Sequence, residues 1–367
     1  MHDGFTDVIY VLLPVWQAEF ALGYAVLALL RALYAGSMAL LQLLAGHLAE
    51  RFGGKLILVL GTALVGIGYA VAGSSGGIVG LCVGLVIAGA GSSTQHPIAS
   101  AAVARAYGKG SRAPLGIYNF TGDLGKAAIP VAMSFLLVAI SWRASLFVLA
   151  ALGIVTAVAI ALLMPRIVGA APSGKKAASG GGRGGFALLF AIAILDNGVR
   201  MGFLIFLPFL LQAKGASLPA VGTALALTFI GGAAGKAVCG WLGDRIGVLW
   251  TVVATEGGTA ALILVLLVLP LEACFVLLPL LGVCLNGTSS VLYGTVPELA
   301  PSDRTERAFA IFYTGAIGSG AISPIFYGIL GDYIGTNGAI VTTAIVALAT
   351  LPLAFLLAPK LKPNPAT

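Results

Sequence analysis

Residues 46–53 read Gly-His-Leu-Ala-Glu-Arg-Phe-Gly, and residues 240–247 read Gly-Trp-Leu-Gly-Asp-Arg-Ile-Gly, at an offset of 194 residues. The similarity extends back along the chain, because Pro14 matches Pro208 at the same offset. A shorter match places residues 121–125 over 314–318 at an offset of 193. The chain therefore consists of two homologous halves fused in one polypeptide.

The composition indicates a protein that lives in lipid. Hydrophobic residues make up 59% of the chain, charged residues only 9%, and the mean hydropathy is +1.05. Soluble domains carry about 25% charged residues. Glycine, at 51 of 367 residues, suits the close approach of membrane helices. Duplicated halves in so apolar a chain are typical of secondary transporters.

The hydropathy pattern predicts an all-α integral membrane protein with twelve transmembrane helices in two pseudo-symmetric six-helix bundles. The predicted domains are residues 1–165, a Gly-Ser-Ala-rich cytoplasmic linker at 166–185, and residues 186–360. The predicted spans are 2–18, 22–48, 56–75, 78–104, 114–140, 143–164, 186–211, 219–241, 249–270, 273–296, 308–331 and 338–358. The first span is short for a bilayer, which predicts a natural start upstream of Met1.

Basic residues are distributed unequally between the two sets of loops. If the even-numbered loops and the C-terminus are cytoplasmic, that side holds fourteen Lys and Arg residues, and the other side holds Arg143 and Lys214. The positive-inside rule then predicts a multi-pass inner-membrane protein with a cytoplasmic C-terminus. This asymmetry accounts for the formal charge of +7, so no nucleic-acid partner is expected.

The loop after the second span carries the clearest family likeness. Gly46-x-Leu-Ala-Glu-Arg-Phe-Gly-Gly-Lys55 resembles the G-x-L-A-D-R-x-G-R-K motif of the major facilitator superfamily, with Glu50 for Asp and Gly54 for a basic residue. Glu50, Arg51, Asp244 and Arg245 end the second and eighth spans, where an acid can bind a helix N-terminus and latch one conformation. The alternative is that these charges only mark helix ends.

A scattered set of residues resembles the fosmidomycin-resistance-type exporters of that superfamily. It comprises Asp3, Pro14, Gln17, Glu19 and Phe20, then Gly91-Ser-Ser-x-x-His-Pro97. The resemblance implies outward, proton-driven transport of a small organic compound, acting by alternating access. Proton-coupled uptake and a non-transporting sensor with a transporter fold are the alternatives. No enzymatic activity, cofactor or metal is expected, the partners are lipid, protons and a small solute, and the predicted state is a monomer.

Charged residues inside the membrane form the candidate sites, because each costs several kcal/mol unless it is paired or hydrated. Asp3 and Asp7 are the predicted proton-coupling acids, and an Asp7–Arg31 pair between helices is open at their similar depth. Because the repeat places Met201 opposite Asp7 and Leu225 opposite Arg31, these charges belong to one half only.

The remaining candidates are open to functional and structural interpretations. Asp196 with Arg200 and Asp123 with Lys126 stand at helical spacing, so ion pairs and transport roles are both possible. Lys236 is predicted to meet Asp123 at an inner gate, with Glu256 as a competing partner. Gln95 and His96 precede Pro97, where freed carbonyl groups suit a substrate site, although a packing histidine is the alternative. The histidines lie on different spans, which argues against a metal site.

Overall fold

The computed structural model describes residues 1–107, 112–165, 183–299 and 305–361. Within these residues the regular secondary structure is entirely helical, which agrees with the predicted all-α class. The helices are α1 (His2–Asp7), α2 (Ile9–Phe20), α3 (Tyr24–Phe52), α4 (Gly54–Ser74), α5 (Ile78–Ser92), α6 (Gln95–Tyr107), α7 (Arg112–Ala139), α8 (Trp142–Leu163), α9 (Arg183–Ala213), α10 (Leu218–Val268), α11 (Leu271–Leu299), α12 (Thr305–Leu357) and a 3-10 turn at Ala358–Lys360.

The twelve predicted spans are all present, but they do not map one to one onto these helices. α10 and α12 each contain two spans joined at a glycine with positive φ, namely Gly247 (φ 82°) and Gly335 (φ 76°). In the described residues, nine helices are long and apolar enough to cross a membrane, including these two double helices. The short first span is divided into α1 and α2 by a turn at Val8.

The fourth span is also divided, and its break has a local cause. Pro97 lacks an N–H group and so cannot bond the carbonyl of Ser93, four residues earlier. The Ser93 and Thr94 hydroxyls donate to the carbonyls of Ala90 (2.7 Å) and Gly91 (3.0 Å), which also tightens the backbone here. α5 therefore ends at Ser92 and α6 begins at Gln95.

The duplication is visible in the backbone. Ala21 (φ 50°) and Gly215 (φ 91°) are left-handed and lie 194 residues apart. Each ends its helix in the same way, with Leu22 N–H donating to Gln17 O (3.3 Å) and Ala216 N–H to Leu211 O (2.9 Å). Gly53 (φ 93°) and Gly247 (φ 82°) form a second positive-φ pair at that offset. The sequence repeat is therefore a structural repeat.

Contacts divide the chain into two compact units. Unit 1 comprises Met1–Leu22, Leu29–Gly174 and Leu218–Gly222, and unit 2 comprises Gly23–Ala28, Lys175–Ser217 and Thr223–Thr367. These units differ from the predicted halves at two places. Gly23–Ala28, at the beginning of α3, belong to unit 2, and Leu218–Gly222, at the beginning of α10, belong to unit 1.

Most of the predicted linker, residues 166–182, lies outside the described residues. Its last three residues, Arg183 to Gly185, lie in the first turn of α9. The position of a Cβ on Gly185 would lie 3.0 Å from Leu299 Cδ2. This packing holds in a helix a Gly-rich segment that composition alone suggests is flexible.

Glycines bring the helices of unit 1 together. A Cβ on Gly68 of α4 would lie 2.6 Å from Gly84 O of α5, and a Cβ on Gly84 would lie 2.6 Å from Gly68 O. A Cβ on Gly66 would lie 2.7 Å from Ala150 O of α8. The backbones of α4, α5 and α8 thus touch at positions that no larger residue can occupy, as expected for packing in lipid.

In unit 2, helices also approach closely at glycines, and an aromatic side chain lies in the core. Gly231 and Gly235 on α10 approach α11, since added Cβ atoms would lie 2.0 Å from Pro279 O and 2.5 Å from Val283 O. Phe312, fully buried, packs among buried side chains that include Leu189 and Val296. α9, α11 and α12 are therefore held side by side.

Large apolar side chains cover the outside of the helices. Leu40, Leu163 and Val268 are each 82% exposed. Exposed apolar surface on this scale is unfavourable in water but is matched by lipid chains. The surface thus agrees with the composition in identifying an integral membrane protein.

Candidate functional site

A buried ion pair lies in unit 1. Arg31 Nη2 of α3 lies 3.3 Å from Asp7 Oδ1 of α1, and both residues are less than 9% exposed. The guanidinium also stands 5.2 Å from the centre of the Tyr10 ring. The predicted Asp7–Arg31 contact is therefore confirmed. Arg31 Nε and Nη1 have no hydrogen-bond acceptor in the described part of the chain, so this cation is only partly satisfied.

A buried network of hydroxyl groups surrounds this pair. Tyr34 OH lies 2.5 Å from Ser92 Oγ and accepts from Thr6 Oγ1 at 3.5 Å. Tyr69 OH donates to the carbonyl oxygen of Phe5. These contacts link α1, α3, α4 and α5 near the ion pair.

A cavity of about 200 Å³ opens beside the N-terminal helix of unit 1. Gln95 and His96 line it from α6, because the break before Pro97 turns the start of this helix toward the cavity. Gln95 Nε2 donates to Thr62 Oγ1 at 2.5 Å. Asp3, Tyr118 and Asn119 also line the cavity, which therefore presents both charged and neutral polar groups.

Asp3 is held in this cavity by two neighbours. His96 Nε2 lies 3.3 Å from Asp3 Oδ1, and Lys126 Nζ lies 3.5 Å from Oδ2. Lys126 also lies 3.3 Å from Asp123 Oδ1, which confirms the predicted pairing at i,i+3. The structure thus brings together residues that the sequence assigned to three different tasks, namely coupling, substrate binding and gating.

The argument against a metal site from histidine positions does not hold in the structure. Donor atoms of His2, Asp3 and His96 lie within 4.8 Å of one another, although the two histidines belong to different spans. Lys126 competes for the same carboxylate, however, because its ammonium contacts Asp3 Oδ2.

Unit 2 contains a second buried polar cluster, which sequence reasoning identified only in part. Asp196 on α9 and Glu256 on α10 are both buried, at 5% and 2% exposure, and they interact electrostatically. The fully buried hydroxyl groups of Thr288 and Thr350 belong to the same polar region. A Glu256–Lys236 pairing, the alternative to Lys236–Asp123, stays a prediction.

Arg200 lies beside this carboxyl pair but is bound elsewhere. Its Nη1 donates to Asn286 Oδ1 at 3.3 Å and its Nη2 to Asn197 Oδ1, while Nε has no acceptor in the described residues. Of the two interpretations left open for Asp196 and Arg200, a direct ion pair is not found in the described residues. The two asparagines hold the guanidinium near Asp196, where it acts through its charge. Asp196, Asn197 and Arg200 line a cavity of about 10 Å³ together with Phe312 and Ala316.

The predicted latch residues lie at exposed helix ends. Glu50 and Asp244 are exposed, Arg51 lies over the Phe52 ring (5.4 Å), and Arg245 lies over the Trp241 ring (5.2 Å). Lys236 belongs to unit 2 and Asp123 to unit 1, so their pairing stays a prediction. In the described part of unit 1, Glu50 lines a cavity of about 200 Å³ with Lys55 and Arg105.

Twelve membrane spans in two repeated halves, with charged residues buried inside each half, define the class of membrane transporter. The sequence model described as Major Facilitator Superfamily matches residues 2–188 and again residues 186–367. The chain therefore belongs to the major facilitator superfamily, as its loop motif suggested, and it is a transporter by fold and not an enzyme.

Two solved structures show how closely the fold is shared. A bacterial homolog of the human lysosomal transporter Spinster, in an inward-facing and occupied conformation, matches with a TM-score of 0.82 at 16% identity, over 98% of this chain and 94% of that one. Its inward-facing, unoccupied form matches with a TM-score of 0.79 at 16% identity, over 98% and 95%. A comparison with curated proteins finds no significant match. At this identity the likeness shows the fold alone.

Proposed function

We propose that the protein is a proton-coupled exporter of a small organic compound, working by alternating access as a monomer. The observation that carries the proposal is the buried Asp7–Arg31 pair. A carboxylate beside a guanidinium stays ionised, and it takes up a proton more readily once the two separate. Arg31 keeps its own charge at any working pH, so the acid is the group that titrates.

The cavity in unit 1 is the proposed substrate site. Asp3 supplies a negative charge with the Lys126 ammonium beside it, and Gln95, His96, Tyr118 and Asn119 supply further hydrogen-bonding groups. A cavity of about 200 Å³ suits a small molecule. Asp3 is the second proposed coupling acid. A substrate that displaced Lys126 would remove the cation that keeps this carboxylate ionised, so Asp3 would take up a proton more readily.

Export, as opposed to uptake, is proposed from the likeness to fosmidomycin-resistance-type exporters. The residues that carry it include Asp3, Gln17 and the segment 91–97. Uptake and sensing remain the alternative functions, because the fold serves both directions of transport and a charged cavity also suits a receptor.

We propose that the protein lies in the inner membrane. In the proposed orientation, the C-terminus and residues 166–182 face the cytoplasm. The support is the charge bias of the loops. A cysteine introduced at position 176 should react with an impermeant maleimide only in inside-out vesicles. Labelling only in right-side-out vesicles would contradict this orientation and indicate the opposite one.

The decisive experiment measures flux in proteoliposomes that contain the purified chain. Small anionic and amphipathic compounds are screened with an imposed pH gradient and with that gradient collapsed by a protonophore. A proton-coupled exporter should move at least one compound against its gradient only while the pH gradient lasts. Flux that persists unchanged after collapse would argue against proton coupling, and binding without flux would favour a sensor.

A further inference from the structure

Three side chains that can bind a metal ion meet in the cavity of unit 1. Donor atoms of His2, Asp3 and His96 lie within 4.8 Å of one another, and all three residues line the cavity. His96 Nε2 lies 3.3 Å from Asp3 Oδ1. Two ligands of one tetrahedral Zn²⁺ ion, each bonded at about 2.0–2.1 Å, stand about 3.3 Å apart. Two of the donors are therefore already at the distance that a shared ion requires, and the His2 ring centre lies 5.2 Å from that of His96.

The His2 side chain gives an independent indication of a ligand. Both of its ring nitrogens are buried, and neither has a hydrogen-bond partner in the described residues. A buried polar atom without a partner costs roughly 1–3 kcal/mol, so such atoms are usually satisfied by water or by an ion. An ion held between His2, Asp3 and His96 would bond one of these nitrogens.

The Asp3 carboxylate is oriented with one oxygen toward the histidines. Its Oδ2 lies 3.5 Å from Lys126 Nζ and close to α7, because a Cβ on Gly122 would lie 2.8 Å from that oxygen. Its Oδ1 is the oxygen beside His96. Lys126 also lies 3.3 Å from Asp123 Oδ1, so two carboxylates share its single positive charge. The ammonium therefore holds Oδ2 without cancelling the negative charge of the group, and Oδ1 can act as a metal ligand.

The kinds of donor atom select the class of ion. Mg²⁺ and Ca²⁺ prefer oxygen ligands, whereas imidazole nitrogen suits Zn²⁺, Ni²⁺ and Cu²⁺. Three protein ligands leave a fourth position of Zn²⁺ open, as in sites that exchange a ligand with their surroundings. At the offset of 194 residues the corresponding positions are Asp196, Asn197 and Ser290. The two imidazoles thus belong to one half only and are not part of the scaffold that the halves share.

We propose that His2, Asp3 and His96 form a binding site for a divalent transition-metal ion such as Zn²⁺, with its open coordination position toward the cavity of unit 1. The binding of the ion does not depend on the proposed function. A role for the ion in transport does rest on it, because the same cavity is the proposed substrate site. The transported compound would then be one that completes the coordination of the ion.

Zinc binding to the full chain, free of any affinity tag and held in lipid nanodiscs, tests the site without a transport measurement. Zn²⁺ is titrated in competition with a fluorescent chelator, and X-ray absorption at the zinc edge identifies its ligands. The wild type should bind Zn²⁺ saturably with two imidazole ligands. His2→Gln and His96→Gln should each weaken binding at least about tenfold, because the loss of a mere supporting residue already costs that much. His47→Gln is the matched control, since it removes the third histidine, which is exposed on α3, and should bind as the wild type does.

The outcomes separate this inference from the proposed function. Absence of saturable Zn²⁺ binding by the wild type, or binding that is unchanged in both His2→Gln and His96→Gln, would overturn the site. Two imidazole ligands in the wild-type spectrum support it even if a variant fails to fold. If Zn²⁺ binds in this way while pH-driven flux is absent, the metal site stands and the proposed transport fails. If flux is present without Zn²⁺ binding, the metal site fails and the proposed transport stands.

Discussion

The Asp7–Arg31 pair is the smallest feature on which the proposed mechanism depends. In Asp7→Asn, position 7 can no longer take up or release a proton, but the amide keeps the size of the carboxyl group. We expect uphill, pH-driven accumulation to fall to the level of passive equilibration, while exchange at equal concentrations continues. Proteoliposome flux with and without a pH gradient measures both.

The control for this variant is Glu19→Gln. Glu19 also forms an ion pair, with Arg143 at 2.8 Å, but both side chains are more than one third exposed. Its loss should therefore leave coupling intact, because exposed pairs contribute little. If both Asp3→Asn and Asp7→Asn retained full uphill transport, the coupling acid would have to lie outside the first helix, and Asp123, Asp196 and Glu256 would be the next candidates.

Ala21 offers a test of backbone strain at a single residue. It adopts a left-handed conformation (φ 50°) where the repeat has Gly215. Because a Cβ in this region costs roughly 1–2 kcal/mol, Ala21→Gly should raise the thermal unfolding temperature. Ala18→Gly, inside α2, should instead lower the unfolding temperature, because glycine destabilises a helix by ~1 kcal/mol relative to alanine. Two equal decreases would contradict the prediction.

Sequence reasoning found the Asp7–Arg31 pair but missed the electrostatic interaction between Asp196 and Glu256. The pair could be found because both charges lie at similar depth on consecutive spans and Arg31 has no acidic residue within one turn of its own helix. Asp196, by contrast, had an apparent partner one helical turn away in Arg200, and this partner drew attention away from Glu256. Arg200 donates hydrogen bonds to Asn197 and Asn286. These contacts could not be predicted from the pattern of charges, because the asparagine side chains are neutral.

At the scale of helices, the contact between α10 and α11 depends on Gly231. An added methyl group would lie 2.0 Å from the carbonyl oxygen of Pro279. Gly231→Ala should therefore force the helices apart and destabilise the protein by about 1–3 kcal/mol. Gly240→Ala is the matched control on α10, because no atom lies within 4 Å of the added group.

Thermal unfolding in detergent, followed by circular dichroism or tryptophan fluorescence, distinguishes these variants. Gly231→Ala should unfold at a lower temperature than the wild type, and Gly240→Ala should unfold at the wild-type temperature or above. Equal unfolding temperatures for the two variants would mean that α10 and α11 tolerate separation at this point.

The spans themselves could be predicted because twenty apolar residues are required to cross a bilayer. Their interruptions were harder to predict. Pro97 indicated a distortion in the fourth span, but the exact break at Ser93 and Thr94 depends also on two hydroxyl groups that bond back to the preceding turn. The turn at Val8 has no comparable signal, because no proline or glycine stands at that residue.

At the scale of the whole molecule, the repeated loop motif makes a prediction about conformational balance. Glu50→Gln and Asp244→Asn remove charges at corresponding helix ends. Both residues are exposed, so folding should survive. We expect each variant to shift the balance between inward- and outward-open states and to lower transport, because a latch contact exists in only one of them.

Accessibility of cysteines introduced on either side of the cavity reports that balance, and proteoliposome flux reports its consequence. The conservative variants Glu50→Asp and Asp244→Glu keep the charges and serve as controls. Wild-type flux and accessibility in the Glu50→Gln, Asp244→Asn double variant would leave these residues as simple markers of helix ends.

The two left-handed corners have a practical consequence. Residues 17–22 and 211–216 end their helices with the same backbone hydrogen bond, although the residues that form it differ, namely Leu22 and Gln17 at the first corner and Ala216 and Leu211 at the second. A segment that fits one corner should consequently fit the other. The corners are natural crossover points at which helices from one half can be grafted into the other to build chimeras.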